Sequence, residues 1–233
     1  MRKLKHVEIR RAIIAACRDM NRLGLSQGTS GNISVRVDEG FLMTPTGVAY
    51  DALQPELIVA MTAAGEFTGD VLPSSEWRFH RDILARRPDA HAVVHCHAMF
   101  ATTLAILHEE IPPIHYMIAA AGGPNIRCAP YATYGTRELS AHALAALEDR
   151  KACLLANHGM IAIGPSLARA MWLAIEVETL AAQYWRALQI GKPKLLTKRE
   201  IATVLEKFGG YGQQPKLEAR QRPSISRGSR RHR

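Results

Sequence analysis

Apolar residues recur at helical spacing from position 5 to about 23, where Ile9, Ile13, Ala16, Cys17 and Met20 line one face before Gly24, so an amphipathic helix is expected to open the chain. Beyond GLSQGTSGN the period changes to two, with Ile33, Val35 and Val37 alternating against polar neighbours. That pattern predicts a half-buried strand, with FLMTP as its hairpin partner across a turn at Asp38, Glu39 and Gly40. LIVAM reads as a further short strand. EWRFHRDILARRP reads as a helix capped by Ser74 or Ser75 and stopped at Pro88. AHAVVHCHA is strand-like and ATTLAILHE helix-like, while KACLLANHGMIAIG predicts a strand pair turning at Asn157 to Gly159. A long helix follows in SLARAMWLAIEVETLAAQYWRALQIG, with Leu167, Met171, Ala174, Val177 and Leu188 on its apolar face. Helices and strands alternate without a regular βα repeat. The expected fold is therefore α+β: one layered αβα domain with a central, mostly antiparallel sheet.

Composition narrows the class. The 233 residues are 47% hydrophobic and 22% charged, enough for one substantial core. MRKLKHVEIR is basic with no apolar stretch behind it, and no window reaches the roughly 18 apolar residues of a membrane span, so a cytoplasmic protein with no membrane contact is expected. Cys17, Cys96, Cys128 and Cys153 are scattered without a CxxC pair and read as buried thiols. The net charge of +9 is unevenly placed, because the segment from Lys216 onward carries seven Lys or Arg against Glu218 alone. That leaves +3 for the rest of the chain and makes nucleic acid an unlikely partner except weakly through the tail. Residues 1–212 are expected to form the domain and residues 213–233 a basic, disordered tail.

The strongest chemical signal is VVHCHA. On a strand, His95 and His97 share one face while Cys96 points to the other, which suits two imidazoles to one cation. ANHGM adds His158 in a tight turn. Three histidines can bind zinc and leave a coordination position open. Glu76 in PSSEW is the candidate acid and base, able to sit on the metal at rest and carry a proton afterwards; the alternative reading is a first-turn glutamate favoured by the helix dipole. Three turn segments offer converging donors for a phosphate: Gly31 and Asn32, Thr46 and Gly47, Ser74 and Ser75. None has the spacing of a dinucleotide or nucleoside-triphosphate loop.

The stretches LGLSQGTSGNISVR, TPTG, LPSSEWRFH, RPDAHAVVHCHA, IPPIHYMIAAAGG, APYATYGTRELS, ANHGMIA, AMWLAIEVETLAAQYW and VLEKFGGYG together resemble the class II aldolase and adducin family over about residues 5 to 212. The resemblance implies one zinc per subunit, with other divalent metals as alternatives, on His95, His97 and His158, Glu76 on the metal and as acid and base, and a phosphate pocket at Gly31, Asn32, Thr46, Gly47, Ser74 and Ser75. It implies Tyr116 as proton donor on the aldehyde side, Tyr134 against the substrate tail and Tyr211 covering the site. It further implies a homotetramer with active sites between subunits. The reaction so implied is cleavage of a ketose 1-phosphate, foremost L-fuculose 1-phosphate, to dihydroxyacetone phosphate and L-lactaldehyde. Alternatives are aldol cleavage of 5-deoxyribulose 1-phosphate or 5-(methylthio)ribulose 1-phosphate, a sugar-phosphate 4-epimerase or dehydratase, or a non-catalytic structural or nucleic-acid-binding protein. Adducin-like members lose the metal ligands, whereas this chain keeps the complete set. It departs from the pattern at Cys96 and Asn157, beside ligands, and at Tyr134, where phenylalanine is expected.

Overall fold

The computed structural model describes residues 4–208. Its sheet is built from β1 (Asn32–Val37), β2 (Gly40–Met43), β3 (Val59–Met61), β4 (Ala92–Cys96), β5 (Cys128–Ala129), β6 (Ala152–Leu155) and β7 (Gly159–Gly164). The spatial order is β3-β2-β1-β4-β7-β6-β5. Every neighbouring pair is antiparallel except β5 with β6, so the sheet is mixed and mostly antiparallel, as the alternation predicts.

Two apolar cores lie on the two faces. Along β4, Ala92, Val94 and Cys96 join the core shared with α1 (Val7–Arg22), α3 (Met99–Ile106), α5 (Leu167–Ile190) and Ile201 of α6 (Lys198–Phe208). Val93 joins the opposite core, with Phe79, Ile83 and Leu84 of α2 (Trp77–Arg86) and Leu139 and Ala143 of α4 (Arg137–Ala146). The period-two geometry of a strand produces this division and makes the domain a three-layer αβα sandwich. A six-residue 3-10 helix, Tyr116–Ala121, packs into the first core through Met117, Ile118, Ala120 and Ala121.

Several elements differ from expectation. The opening helix, Val7–Arg22, starts two residues later than position 5 but stops before Gly24 as expected, and Gly24 at φ 72° takes the left-handed conformation that glycine adopts without strain. The α5 residues buried in the core stop at Ala182, and Leu188 is 43% exposed. Neither Ser74 nor Ser75 is the first residue flanking α2. Glu76 occupies that position, with the Ser74 hydroxyl accepting from the Glu76 N–H at 3.3 Å. Helices α4 and α6 and strand β5 complete the set. Cys17, Cys96 and Cys153 are buried, and all four thiols are free. Among the described residues no helix is long and apolar enough to cross a membrane. The expected tail, 213–233, and Tyr211 lie outside the described residues.

Candidate metal centre and active site

Four elements deliver the site. His95 is the fourth residue of β4, on the α2 face beside Phe79, whose ring stands edge-on to it at 5.4 Å. His97 follows just past the strand end. His158 comes from the turn between β6 and β7, where Asn157 adopts φ 53°. The N–H of Asn157 donates to Ala105 O at 3.1 Å and its side-chain oxygen accepts from His108 at 2.7 Å, which pins the turn to the end of α3. Gly159 is required next. A Cβ there would lie 2.9 Å from the His97 ring and closer still to the Cys96 carbonyl. Glu76 enters from the start of α2.

These side chains meet. Glu76 Oε2 stands 3.1 Å from His95 Nε2, and Oε1 stands 3.2 Å from His158 Nε2. The Nε2 atoms of His95 and His97 are 3.1 Å apart. One ligand atom from each of the four lies within 4.8 Å of all the others. A tetrahedral zinc with Zn–N near 2.0–2.1 Å sets its ligand atoms about 3.4 Å apart, so the spacing matches a shared cation. The donor chemistry agrees. His95 Nδ1–H donates to the Met160 carbonyl at 2.9 Å, which fixes the tautomer and turns the Nε2 lone pair inward. Glu76 Oε1 is buried without a hydrogen-bond partner despite its nearness to His158, an arrangement that is costly unless a cation sits against it.

Protonation is set by the same contacts. Burial pushes the Glu76 carboxyl up, but His95, His158 and the Asn32 amide outweigh it and hold the group well below the usual carboxylate range. Burial pushes His95 down and the Glu76 charge reverses that, for a net rise. His97 and His158 are lowered to about 4, first by burial and then by His95. Near neutrality the centre therefore offers a carboxylate and two neutral imidazoles, the forms that bind metals.

The expected phosphate segments also converge. Ile33 N–H donates to Thr44 Oγ1 and Thr44 N–H to Ile33 O, both at 3.1 Å, which holds the end of β2 against Gly31 and Asn32. Ser74 N–H donates to Thr44 O at 2.9 Å, and Thr46 N–H to Leu72 O at 3.1 Å, drawing the Thr46–Gly47 and Ser74–Ser75 turns together. Thr46, Gly47 and Ser75 are exposed. Asn32, directly opposite His95 in the β1–β4 register, has its side chain turned to Glu76, donating to Oε2 at 3.0 Å. Tyr134 is 65% exposed, beside Gly135, whose close approach to Ser75 would put a Cβ 2.8 Å from the Ser75 carbonyl. Tyr116 opens the 3-10 helix of the α5 and α6 layer, 45% exposed, with its ring 4.7 Å from that of His115.

Sequence reasoning missed the side chains behind the quartet. His80 is fully buried one turn beyond Glu76 on α2. It bonds to Asn32 Oδ1 at 2.5 Å and to Ser34 Oγ at 2.8 Å, and burial pushes its pKa down to about 3. Glu178 of α5 accepts the Phe100 and Ala101 N–H groups, each at 2.9 Å, at the start of α3. The i, i+4 spacing from Glu76 to His80 and the i, i+2 spacing from Asn32 to Ser34 are the signals that would have found the first group.

Residues 11–185 match the family model described as Class II Aldolase and Adducin N-terminal domain. The chain is 56% identical over 211 residues to a 5-methylthioribulose-1-phosphate/5-deoxyribulose-1-phosphate aldolase of Rhodospirillum rubrum, covering 91% of this chain and 96% of that protein. It is 54% identical over 206 residues to L-fuculose phosphate aldolase of Escherichia coli, covering 88% and 96%. A solved structure of L-fuculose 1-phosphate aldolase superposes with a TM-score of 0.86 at 38% identity, covering 88% of this chain and 98% of that one.

Proposed function

The chain belongs to the class II aldolase and adducin family, as a class II aldolase with a metal site, and we propose that it cleaves a ketose 1-phosphate to dihydroxyacetone phosphate and an aldehyde with zinc as its metal. The observation that carries this reading is the quartet of Glu76, His95, His97 and His158 around an unpartnered carboxylate oxygen. His95, His97 and His158 would hold the zinc with Glu76 beside them, since an imidazole-rich set with one carboxylate suits that ion. The metal supplies positive charge to the ketone and neighbouring hydroxyl oxygens as negative charge develops on them.

The protein's own groups do the rest. Donors of Gly31, Asn32, Thr46, Gly47, Ser74 and Ser75 would anchor the phosphate on C1 and so place the C3–C4 bond at the quartet. The Tyr116 hydroxyl relays the C4 hydroxyl proton to solvent as that bond breaks and the aldehyde forms. Glu76, a carboxylate at rest, takes up a proton from solvent and delivers it to C3 of the enediolate, giving dihydroxyacetone phosphate. Tyr134, next to the Ser74–Ser75 turn, would meet the far end of the substrate, with Tyr211 closing over it. The assembly in this reading is a homotetramer in which Tyr116 serves a neighbouring subunit's quartet. Residues 1–212 form the catalytic domain and 213–233 an appendage.

L-Fuculose 1-phosphate is the first substrate to test. A second reading, 5-deoxyribulose 1-phosphate or its 5-methylthio analogue, is favoured by the 56% identity to the Rhodospirillum rubrum aldolase, and it leaves the metal end of the reaction unchanged. Release of dihydroxyacetone phosphate from each, by wild type and by Glu76→Gln, tests the proposal. The variant should retain zinc and lose about 10²–10⁴-fold in kcat. Unchanged cleavage by zinc-loaded Glu76→Gln removes the proton-transfer role, and no cleavage of any of the three by wild type removes the aldolase assignment to these substrates.

A further inference from the structure

His80 has no step in the reaction above, yet it is fully buried within the site layer. Its hydrogen bonds run in one direction only. Asn32 Nδ2 donates to Glu76 Oε2 at 3.0 Å, which leaves Asn32 Oδ1 as an acceptor. His80 Nε2 lies 2.5 Å from that oxygen and must be the donor. A neutral imidazole carries one N–H, so Nδ1 is an acceptor, and the hydroxyl of buried Ser34 donates to it at 2.8 Å.

We propose that His80, donating through Nε2–H to Asn32 and accepting from Ser34 at Nδ1, is a positioning residue that locks the Asn32 amide with its N–H toward Glu76, fixing Oε2 and leaving Oε1 as the working oxygen. The lock is needed because rotating the Asn32 amide by half a turn would set its oxygen against the carboxylate and its N–H₂ against the His80 N–H. Both contacts are repulsive, and Asn32, Glu76 and His80 are all buried. Nothing on α2 itself replaces it, since Glu76 is the residue flanking the helix start and its side chain makes no capping bond. The relay returns to α2 one turn later through β1, so helix and strand together set the angle of the carboxylate. One N–H of the Asn32 amide is thereby committed to Glu76 while its second N–H stays available to the phosphate, and this inference rests on the reading of the quartet given above.

Zinc-loaded wild type, His80→Leu, His80→Gln and Ser34→Ala separate these roles. In His80→Leu kcat should fall about 10–100-fold and zinc should be lost to a chelator about ten-fold more readily. KM should change by less than kcat does. His80→Gln, which keeps an N–H donor for Asn32, should recover most of the loss, and Ser34→Ala should show a smaller one. Unchanged kcat and zinc retention in folded His80→Leu overturns the relay. So does an equal fall in His80→Gln, which would place the loss in packing rather than in the N–H donated to Asn32. Side-chain ¹⁵N spectra of the wild type keep the question answerable if His80→Leu does not fold: protonated Nε2 with bare Nδ1 is expected, and the opposite tautomer refutes the proposal. A wild type that cleaves none of the ketose phosphates sinks the preceding assignment alone, because zinc retention and tautomer still decide the relay.

Discussion

Replacing Glu178 should damage the metal centre without touching it. Helix α3 starts two residues after His97, and Ala98 at its head has no side chain with which to cap it. Glu178 supplies the cap from α5, with Oε1 accepting from Phe100 N–H and Oε2 from Ala101 N–H, both at 2.9 Å. A hydrogen bond to a carboxylate contributes about 1.5–3 kcal/mol, and a lost cap costs about 0.5–2 kcal/mol, so Glu178→Ala should destabilise the domain by about 2–4 kcal/mol. For a domain of this size that is a fall in Tm of about 5–15 °C. Glu178→Gln should take at least half of it, because one oxygen becomes an N–H₂ facing a backbone N–H. Differential scanning calorimetry measures the first effect. Chelator competition measures the second, a loss of zinc affinity as the start of α3 frays and His97 loosens. A Tm within about 1 °C of wild type in Glu178→Ala would refute the argument, since so small a change corresponds to less than one hydrogen bond.

Further outcomes follow from the same geometry. In Gly159→Ala the new methyl group would press on the Cys96 carbonyl and the His97 ring, at an overpacking cost of about 1–3 kcal/mol. Its zinc, assayed by equilibrium dialysis, should be held more weakly, and undiminished binding would show that the His97 position is not set there. Glu178 also predicts a pH dependence. Burial raises its pKa more than the Phe100 and Ala101 N–H groups lower it, so the folded state keeps a proton that the unfolded chain has released. Stability from this group therefore falls as pH rises from the ordinary carboxylate value, about 4.3, through the raised one. The advantage of wild type over Glu178→Gln in urea titrations should be greatest at the acid end and shrink across that window; an advantage that grows with pH contradicts the shift.

How much of this was legible in the chain depends on how far each signal reaches. His95 and His97 announce themselves through the period of two, and His158 and Glu76 through turn and helix-start motifs a few residues long. Ser34 and His80 carry equally short spacings, but their meaning depends on β1 pairing with β4 and α2 lying across both, contacts that join residues more than forty positions apart. Glu178 reaches the Phe100 and Ala101 amides from a helix read only for its apolar stripe, on which a half-buried carboxylate looks like surface. Two missed helices did carry local marks. Thr197 and Glu200 form a capping box before α6, with Thr197 N–H donating to Glu200 at 2.7 Å and Glu200 N–H to Thr197 at 3.2 Å. Thr136 caps α4 through the Leu139 N–H at 3.2 Å, but an alanine-rich face gave that helix little apolar contrast. Leu188 failed in the opposite sense: its periodicity continued α5 correctly, while burial along the helix ended at Ala182. Residue type and spacing thus identify the groups that gather in the quartet, because a metal-binding cluster needs particular side chains. The groups that aim them are ordinary serines, asparagines and glutamates, and only the tertiary hydrogen bonds distinguish them from their solvent-facing counterparts.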